Sequence, residues 1–69
     1  MVFRLRKVAE FKDAKGQFVK RYDKLVDKDG LQYMVSEQHD RYLVLLSLSD
    51  VRPPMPVIPS DLSDYVKVG

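Results

Sequence analysis

The 69-residue sequence contains no cysteine, a single histidine and only three glycines. Without cysteine there is no disulfide framework and no thiolate chemistry, and one histidine cannot complete a structural zinc site. The glycines, at positions 16, 30 and 69, are too far apart to form a glycine-rich phosphate loop. The sequence therefore predicts neither a bound metal nor a cofactor.

Long hydrophobic runs are also missing. The longest, residues 42–46, is far shorter than the roughly 20 residues that a transmembrane helix needs. Near the N-terminus, charged side chains in residues 2–7 interrupt the apolar core that a signal peptide requires. We therefore expect no membrane contact and an intracellular location in the cytoplasm, nucleoid or nucleus.

The chain is too short for an enzyme cleft beside a core, because a domain of this size buries only about 60% of the surface exposed by its unfolded chain. The single histidine, His39, lies in the polar segment 37–40 beside Ser36. A catalytic triad needs a buried, oriented imidazole and an oxyanion site, and a polar turn provides neither. We therefore expect one non-enzymatic domain, residues 1–69.

Two turns of the same kind are the clearest local signals. Asp13–Gly16 and Asp27–Gly30 both have the pattern D-x-x-G. An aspartate at the first position bonds the backbone of the turn, and glycine supplies the positive φ that ends it. Each pattern predicts a hairpin connection between antiparallel strands.

Alternating apolar and polar residues predict strands around these turns. The predicted strands are residues 2–12, 17–26, 31–36 and 41–49. The fold class is all-β: a four- to five-stranded antiparallel meander over residues 1–50 that closes into a small barrel. The alternative is an α+β domain with a helix at 17–28, because Phe18, Val19, Tyr22, Leu25 and Val26 also fit a helical stripe.

All four prolines lie in residues 51–59 and predict a stiff, extended strap. We expect the strap to cover an open edge of the barrel, with Val57 and Ile58 buried. Two P-x-x-P matches leave open a second role, as a polyproline ligand. Residues 60–69 predict a C-terminal turn capped by Ser60, or a short strand.

The run Tyr42-Leu-Val-Leu-Leu46, followed by Leu48-Ser-Asp-Val-Arg-Pro-Pro-Met-Pro56, resembles the end of small barrels of the Src-homology-3 type. It is most similar to Tudor/agenet chromatin domains and to the C-terminal DNA-binding domain of retroelement integrases. The resemblance, confined to residues 42–56, implies a barrel that binds histone tails or nucleic acid without catalysis. It also implies that Arg52 contacts the partner.

Charge distribution points to an anionic partner. The net charge is only +2, but bases outnumber acids in residues 1–28, whereas acids outnumber bases in residues 29–69. We therefore expect nucleic acid to bind, with little sequence specificity, to a basic face that would be formed by Arg4, Arg6, Lys7, Lys20, Arg21 and Lys24. The aromatic contacts expected beside it are Tyr22, Tyr33 and Tyr42.

Two other functions fit the same residues. One is a protein-interaction module, a small adaptor or phage-type modulator of a host protein, that uses Tyr22, Tyr33, Met34 and the proline strap. The other is a structural protein that assembles through an open sheet edge. The sequence leaves the oligomeric state open.

Overall fold

The computed structural model describes residues 9–68, which form a single antiparallel sheet with the strand order β4-β3-β2-β1-β5. Its elements are β1 (Lys24–Val26), β2 (Gln32–Gln38), β3 (Leu43–Ser47), β4 (Met55–Val57), a 3₁₀ helix (Pro59–Asp64) and β5 (Val66–Val68). The all-β prediction is confirmed, and the alternative helix at 17–28 is wrong. Within residues 9–68 the edge strands β4 and β5 do not pair with each other, so closure into a barrel stays a prediction.

Both D-x-x-G segments form the predicted turns. In each turn the aspartate carboxylate accepts the backbone N–H groups of the residues two and four positions later, at 2.8 to 2.9 Å. Gly16 and Gly30 adopt φ angles of +79° and +83°, which a residue with a Cβ rarely takes. The side chain and the glycine therefore close each turn together.

The predicted strand 17–26 is not continuous. Phe18 forms an antiparallel bridge with Lys12, and the chain then turns before β1 begins at Lys24. The backbone N–H of Asp23 donates to the carbonyl of Lys20 at 3.1 Å and closes that turn. The alternation of apolar residues fails here because the backbone leaves the extended conformation. The predicted first strand lies outside the described residues, apart from residues 9–12.

The core lies on one face of the sheet. In β2 and β3 alternate residues point to this face, so Tyr33 and Val35 pack beside Leu43 and Leu45. The complete buried cluster is Phe11, Val19, Leu25, Tyr33, Val35, Leu43, Leu45, Val57 and Leu62. A β-bulge between Val35 and Glu37 shifts the pairing of β2 with β3, so the end of β2 is locally irregular.

The proline-rich strap contains an edge strand. β4 pairs with β3 and buries Val57, but Ile58 is 52% exposed, so the predicted burial of Ile58 is wrong. Successive residues of an extended segment point to opposite sides, and only one of the two can face the core. The 3₁₀ helix that follows begins after Ile58, whose N–H donates to the carboxylate of Asp61 at 3.1 Å. Asp61, rather than the predicted Ser60, therefore provides the side-chain hydrogen bond at the N-terminus of this helix.

The helix content of the described chain is small. Over residues 9–68 the structure has one six-residue 3₁₀ helix and contains no helical segment that could span a bilayer.

Candidate functional site

An exposed tyrosine with unusual backbone geometry lies in the turn before β1. Tyr22 has a φ of +76°, and it is the one residue other than glycine with a positive φ in residues 9–68. Its side chain is 64% exposed. A bulky residue in this region costs of the order of 1–3 kcal/mol, and such strain occurs most often at functional sites. The fold therefore holds an aromatic ring in solvent at an energetic cost.

Arg21 lies against this ring and connects the turn to β2. Its guanidinium carbon is 4.8 Å from the centroid of Tyr22, within the range of a cation–π contact. Its Nε donates to the carbonyl oxygen of Ser36 at 3.1 Å, and its backbone N–H donates to the side chain of Gln38 at 3.2 Å. Ser36 lies at the β-bulge, between Val35 and Glu37. The irregular end of β2 thus provides an acceptor that orients the arginine.

Positive charge around this turn is not neutralised locally. Lys20, Arg21 and Lys24 are all exposed, and none of them forms an ion pair with another residue of the described chain. The carboxylate of Asp23, in the same turn, faces the ammonium of Lys67 at 3.3 Å. We call Lys20, Arg21, Tyr22 and Lys24 the basic turn.

Some cations elsewhere in the described chain do form ion pairs. Several are held by carboxylates: Lys12 by Glu10 at 3.4 Å, Lys28 by Asp64 at 3.0 Å and Arg52 by Asp50 at 2.9 Å. These pairs are exposed and contribute little to stability, but each lowers the charge available to an external anion.

The structure brings together half of the predicted basic residues. Lys20, Arg21 and Lys24 belong to the basic turn, whereas Arg4, Arg6 and Lys7 lie outside the described residues.

The three predicted tyrosines do not form one surface. Tyr22 and Tyr42 are exposed, but Tyr33 is buried in the core, where its ring meets Tyr65 edge-on at 5.5 Å. The Tyr33 hydroxyl donates to the carboxylate of Asp27 at 3.0 Å. Burial, followed by this bond to a carboxylate, raises the pKa of Tyr33. Tyr33 is therefore a structural residue whose ring faces are not accessible.

Arg52, predicted to contact a partner, is held in the loop between β3 and β4. Its Nε donates to the carboxylate of Asp50, and its Nη1 lies 3.5 Å from the hydroxyl of Tyr33. The hydrogen bond and charge of Asp50 raise the pKa of Arg52. About half of the side chain remains exposed. The residue braces this loop against the core and keeps one side open to solvent.

An open groove on the outer face of the sheet was not predicted. It has a volume of about 700 Å³ and is lined by Glu37, Arg41, Tyr42, Val44, Pro54, Pro56 and Ile58. Its floor follows the sheet register, because Val44 of β3 lies between Glu37 of β2 and Pro56 of β4. One feature of the sequence could have indicated this groove. β3 is apolar on both faces, so its outer face needs apolar neighbours.

The described residues contain no group of three or more histidine, cysteine, aspartate or glutamate side chains placed to hold a metal ion. Compared with known proteins, the chain matches no protein-family model, no curated protein and no solved structure.

Proposed function

We propose that this protein is a non-catalytic module that binds nucleic acid through the basic turn, with little sequence specificity. The observation that carries the proposal is Tyr22, whose exposed ring is held at a positive φ with the Arg21 guanidinium against it. Lys20 and Lys24 flank this pair, and their ammonium groups form no ion pair with a carboxylate of the described chain.

The chemistry of the turn suits a phosphate backbone. Lysine and arginine side chains contact phosphate oxygens, and these contacts provide most of the affinity of nonspecific complexes. An exposed tyrosine adds a flat surface that accepts the face of any base. Exposed lysine and arginine side chains can contact the phosphates of any sequence, so we expect phosphate contacts to dominate and sequence preference to be small.

Fluorescence anisotropy with labelled DNA and RNA, across a salt series from about 50 to 200 mM, tests the proposal. We expect micromolar dissociation constants that rise steeply with salt, because binding releases counterions. Replacement of Lys20, Arg21 and Lys24 by Gln should weaken binding. It should also reduce the slope of log affinity against log salt by up to about 3, at about 0.9 per lost phosphate contact.

The matched control neutralises cations that already have carboxylate partners, Lys12→Gln with Lys28→Gln. This double variant should keep the wild-type salt slope, and thermal melting should show that both variants remain folded. Equal slopes for the two variants, or no binding to any nucleic acid at low salt, would contradict the proposal.

A second candidate function is recognition of a protein segment in the groove beside Tyr42. The groove is open and mainly apolar, with Pro54, Pro56 and Ile58 along one side. Exposed apolar surface of this kind is typical of interaction sites. It would become the leading proposal if nucleic acid does not bind.

A further inference from the structure

A second exposed aromatic pair lies at the hairpin that joins β2 to β3. The rings of His39 and Tyr42 stack with centroids 4.5 Å apart and an angle of 21° between their planes. The backbone N–H of His39 donates to the carbonyl of Tyr42 at 2.9 Å, which closes the hairpin and fixes both residues. Tyr42 is 39% exposed and lines the open groove together with Arg41.

This pair and the basic turn lie at the same end of the sheet. The basic turn is attached to β2, because the N–H of Tyr22 donates to the carbonyl of Val35 and the N–H of Arg21 donates to the side chain of Gln38. Gln38 in turn pairs with Leu43, the residue after Tyr42. Tyr22 and Tyr42 thus lie on opposite sides of β2. Their backbones are about two strand spacings apart across the sheet and about three residues apart along it, which together make roughly 14 Å.

We infer that the nucleic acid bound here is single-stranded, with one base stacked on Tyr22 and another on Tyr42. This inference rests on the proposed function and names the class of its ligand. A tyrosine ring stacks on the face of a base, and in a duplex neighbouring base pairs cover these faces. At about 3.4 Å per nucleotide in a stacked strand, this backbone separation of the two tyrosines corresponds to about four nucleotides.

Each of the two stacking tyrosines has an arginine beside it in the sequence that can contact the phosphates of a bound strand. Arg21 lies at one end and Arg41 at the other, and Arg41 has no ion-pair partner among residues 9–68. The carboxylate of Glu37, which also lines the groove, is 3.0 Å from the Nε2 of His39. A carboxylate repels phosphate, but it accepts hydrogen bonds from base amino groups. We therefore expect Arg21 and Arg41 to contact phosphates, and Glu37 to accept hydrogen bonds from base amino groups.

The test compares a labelled 12-nucleotide DNA strand with the same sequence as a duplex, at low salt, for the full chain. We expect the single strand to bind at least about tenfold more tightly than the duplex. Tyr22→Leu and Tyr42→Leu should each weaken single-strand binding by about 5- to 150-fold, the range for loss of one stacked base, and change duplex binding less than about twofold. Tyr22→Phe and Tyr42→Phe keep the ring and should retain wild-type affinity.

Phe18→Leu is the matched control. Phe18 is also an exposed aromatic residue with a cation, Lys12, 5.0 Å from its ring, but this lysine is paired with Glu10. The Phe18 variant should bind single strands like the wild type.

The outcomes separate the two proposals. Equal binding of strand and duplex, or a Tyr42→Leu variant with unchanged single-strand affinity, overturns the present inference and leaves the proposed function standing. No binding to either form overturns both.

Discussion

At the scale of single residues, two aspartates with the same role in their turns differ in the partner of the second carboxylate oxygen. Asp13 and Asp27 each close a turn with one carboxylate oxygen. The second oxygen of Asp13 accepts the N–H of Lys67 in β5 at 2.8 Å, whereas that of Asp27 accepts the hydroxyl of Tyr33. The Asp13 side chain therefore connects its turn to the distant strand β5, whereas the Asp27 side chain connects its turn to the adjacent strand β2.

The ionisation of Asp13 reflects its position. Burial alone would raise its pKa, but the backbone N–H groups of Lys67, Gln17 and Lys15 outweigh burial and lower the pKa below the ordinary 3.8. The carboxylate is therefore charged in the folded protein at neutral pH.

Tyr22 allows a direct test of backbone strain. In most positions Ala is more stable than Gly by roughly 0.5–1 kcal/mol. At the positive φ of Tyr22 we expect the order to reverse, with Tyr22→Gly more stable than Tyr22→Ala by about 1 kcal/mol, because only glycine avoids the Cβ clash. Both variants lack the ring, so the comparison isolates the backbone. Urea denaturation measures the difference.

The same two variants connect strain with function. If the fold tolerates the strain in order to present the ring, both Gly and Ala at position 22 should lose single-strand binding while the Gly variant gains stability. A stability order of Ala above Gly would show that position 22 is not strained in solution.

At the scale of elements, the outer edge of β4 has few backbone donors. In β4, Met55 and Val57 pair with Leu45 and Leu43 of β3. The β4 residues between and beside these two therefore direct their backbone groups away from β3. One of these outward-facing residues is Pro56, which has no N–H. Another is Ile58, whose N–H is already bonded to the carboxylate of Asp61.

The edge of β5 is covered by a turn. The N–H of Lys67 donates to Asp13, and the carbonyl of Tyr65 accepts the N–H of Ala14 at 2.8 Å. Strand addition at either edge of the sheet in residues 9–68 therefore meets few free groups. For this reason we do not propose assembly through an open sheet edge.

The prolines of the β4 edge give the prediction at this scale. Pro54→Thr with Pro56→Thr restores two outward N–H groups next to an apolar groove. We expect the variant to associate with itself more strongly than the wild type, because an exposed strand edge is a template for pairing. Sedimentation velocity over a concentration series measures this.

Pro53→Thr is the control, since residue 53 lies farther from the strand. Identical sedimentation of all three proteins would show that the prolines do not protect this edge.

At the scale of the whole molecule, the C-terminal segment completes the fold. Residues 55–68 provide both edge strands, and they contribute Val57 and Leu62 to the core. Leu62 is completely buried, although it belongs to a short 3₁₀ helix. The strap and the C-terminal segment are therefore integral to the sheet.

Leu62→Ala should lower the free energy of unfolding by about 2–5 kcal/mol, the usual cost of a leucine-sized cavity. This is a large part of the 5–15 kcal/mol that stabilises a typical domain. Ile58→Ala, four residues earlier and half exposed, should change stability by much less. Urea denaturation of both variants measures the difference. Similar losses for the two would contradict the position of Leu62 in the core.

Much of the fold was predictable because its determinants are local. The D-x-x-G turns depend on contacts within four residues, and the alternation in β2 and β3 follows from the two-residue period of a strand. The all-β class and the clustering of Lys20, Arg21 and Lys24 needed only these short-range rules.

Tertiary structure decided the features that depend on distant residues. Tyr33 is one of the three predicted aromatic contacts, but contacts with Tyr65 and Asp27 bury it. The groove joins the β2–β3 hairpin to prolines well beyond β3. The positive φ of Tyr22 accompanies hydrogen bonds to β2 that no local pattern encodes. Local patterns identified strands and turns, whereas the side chains that face solvent were decided by long-range packing.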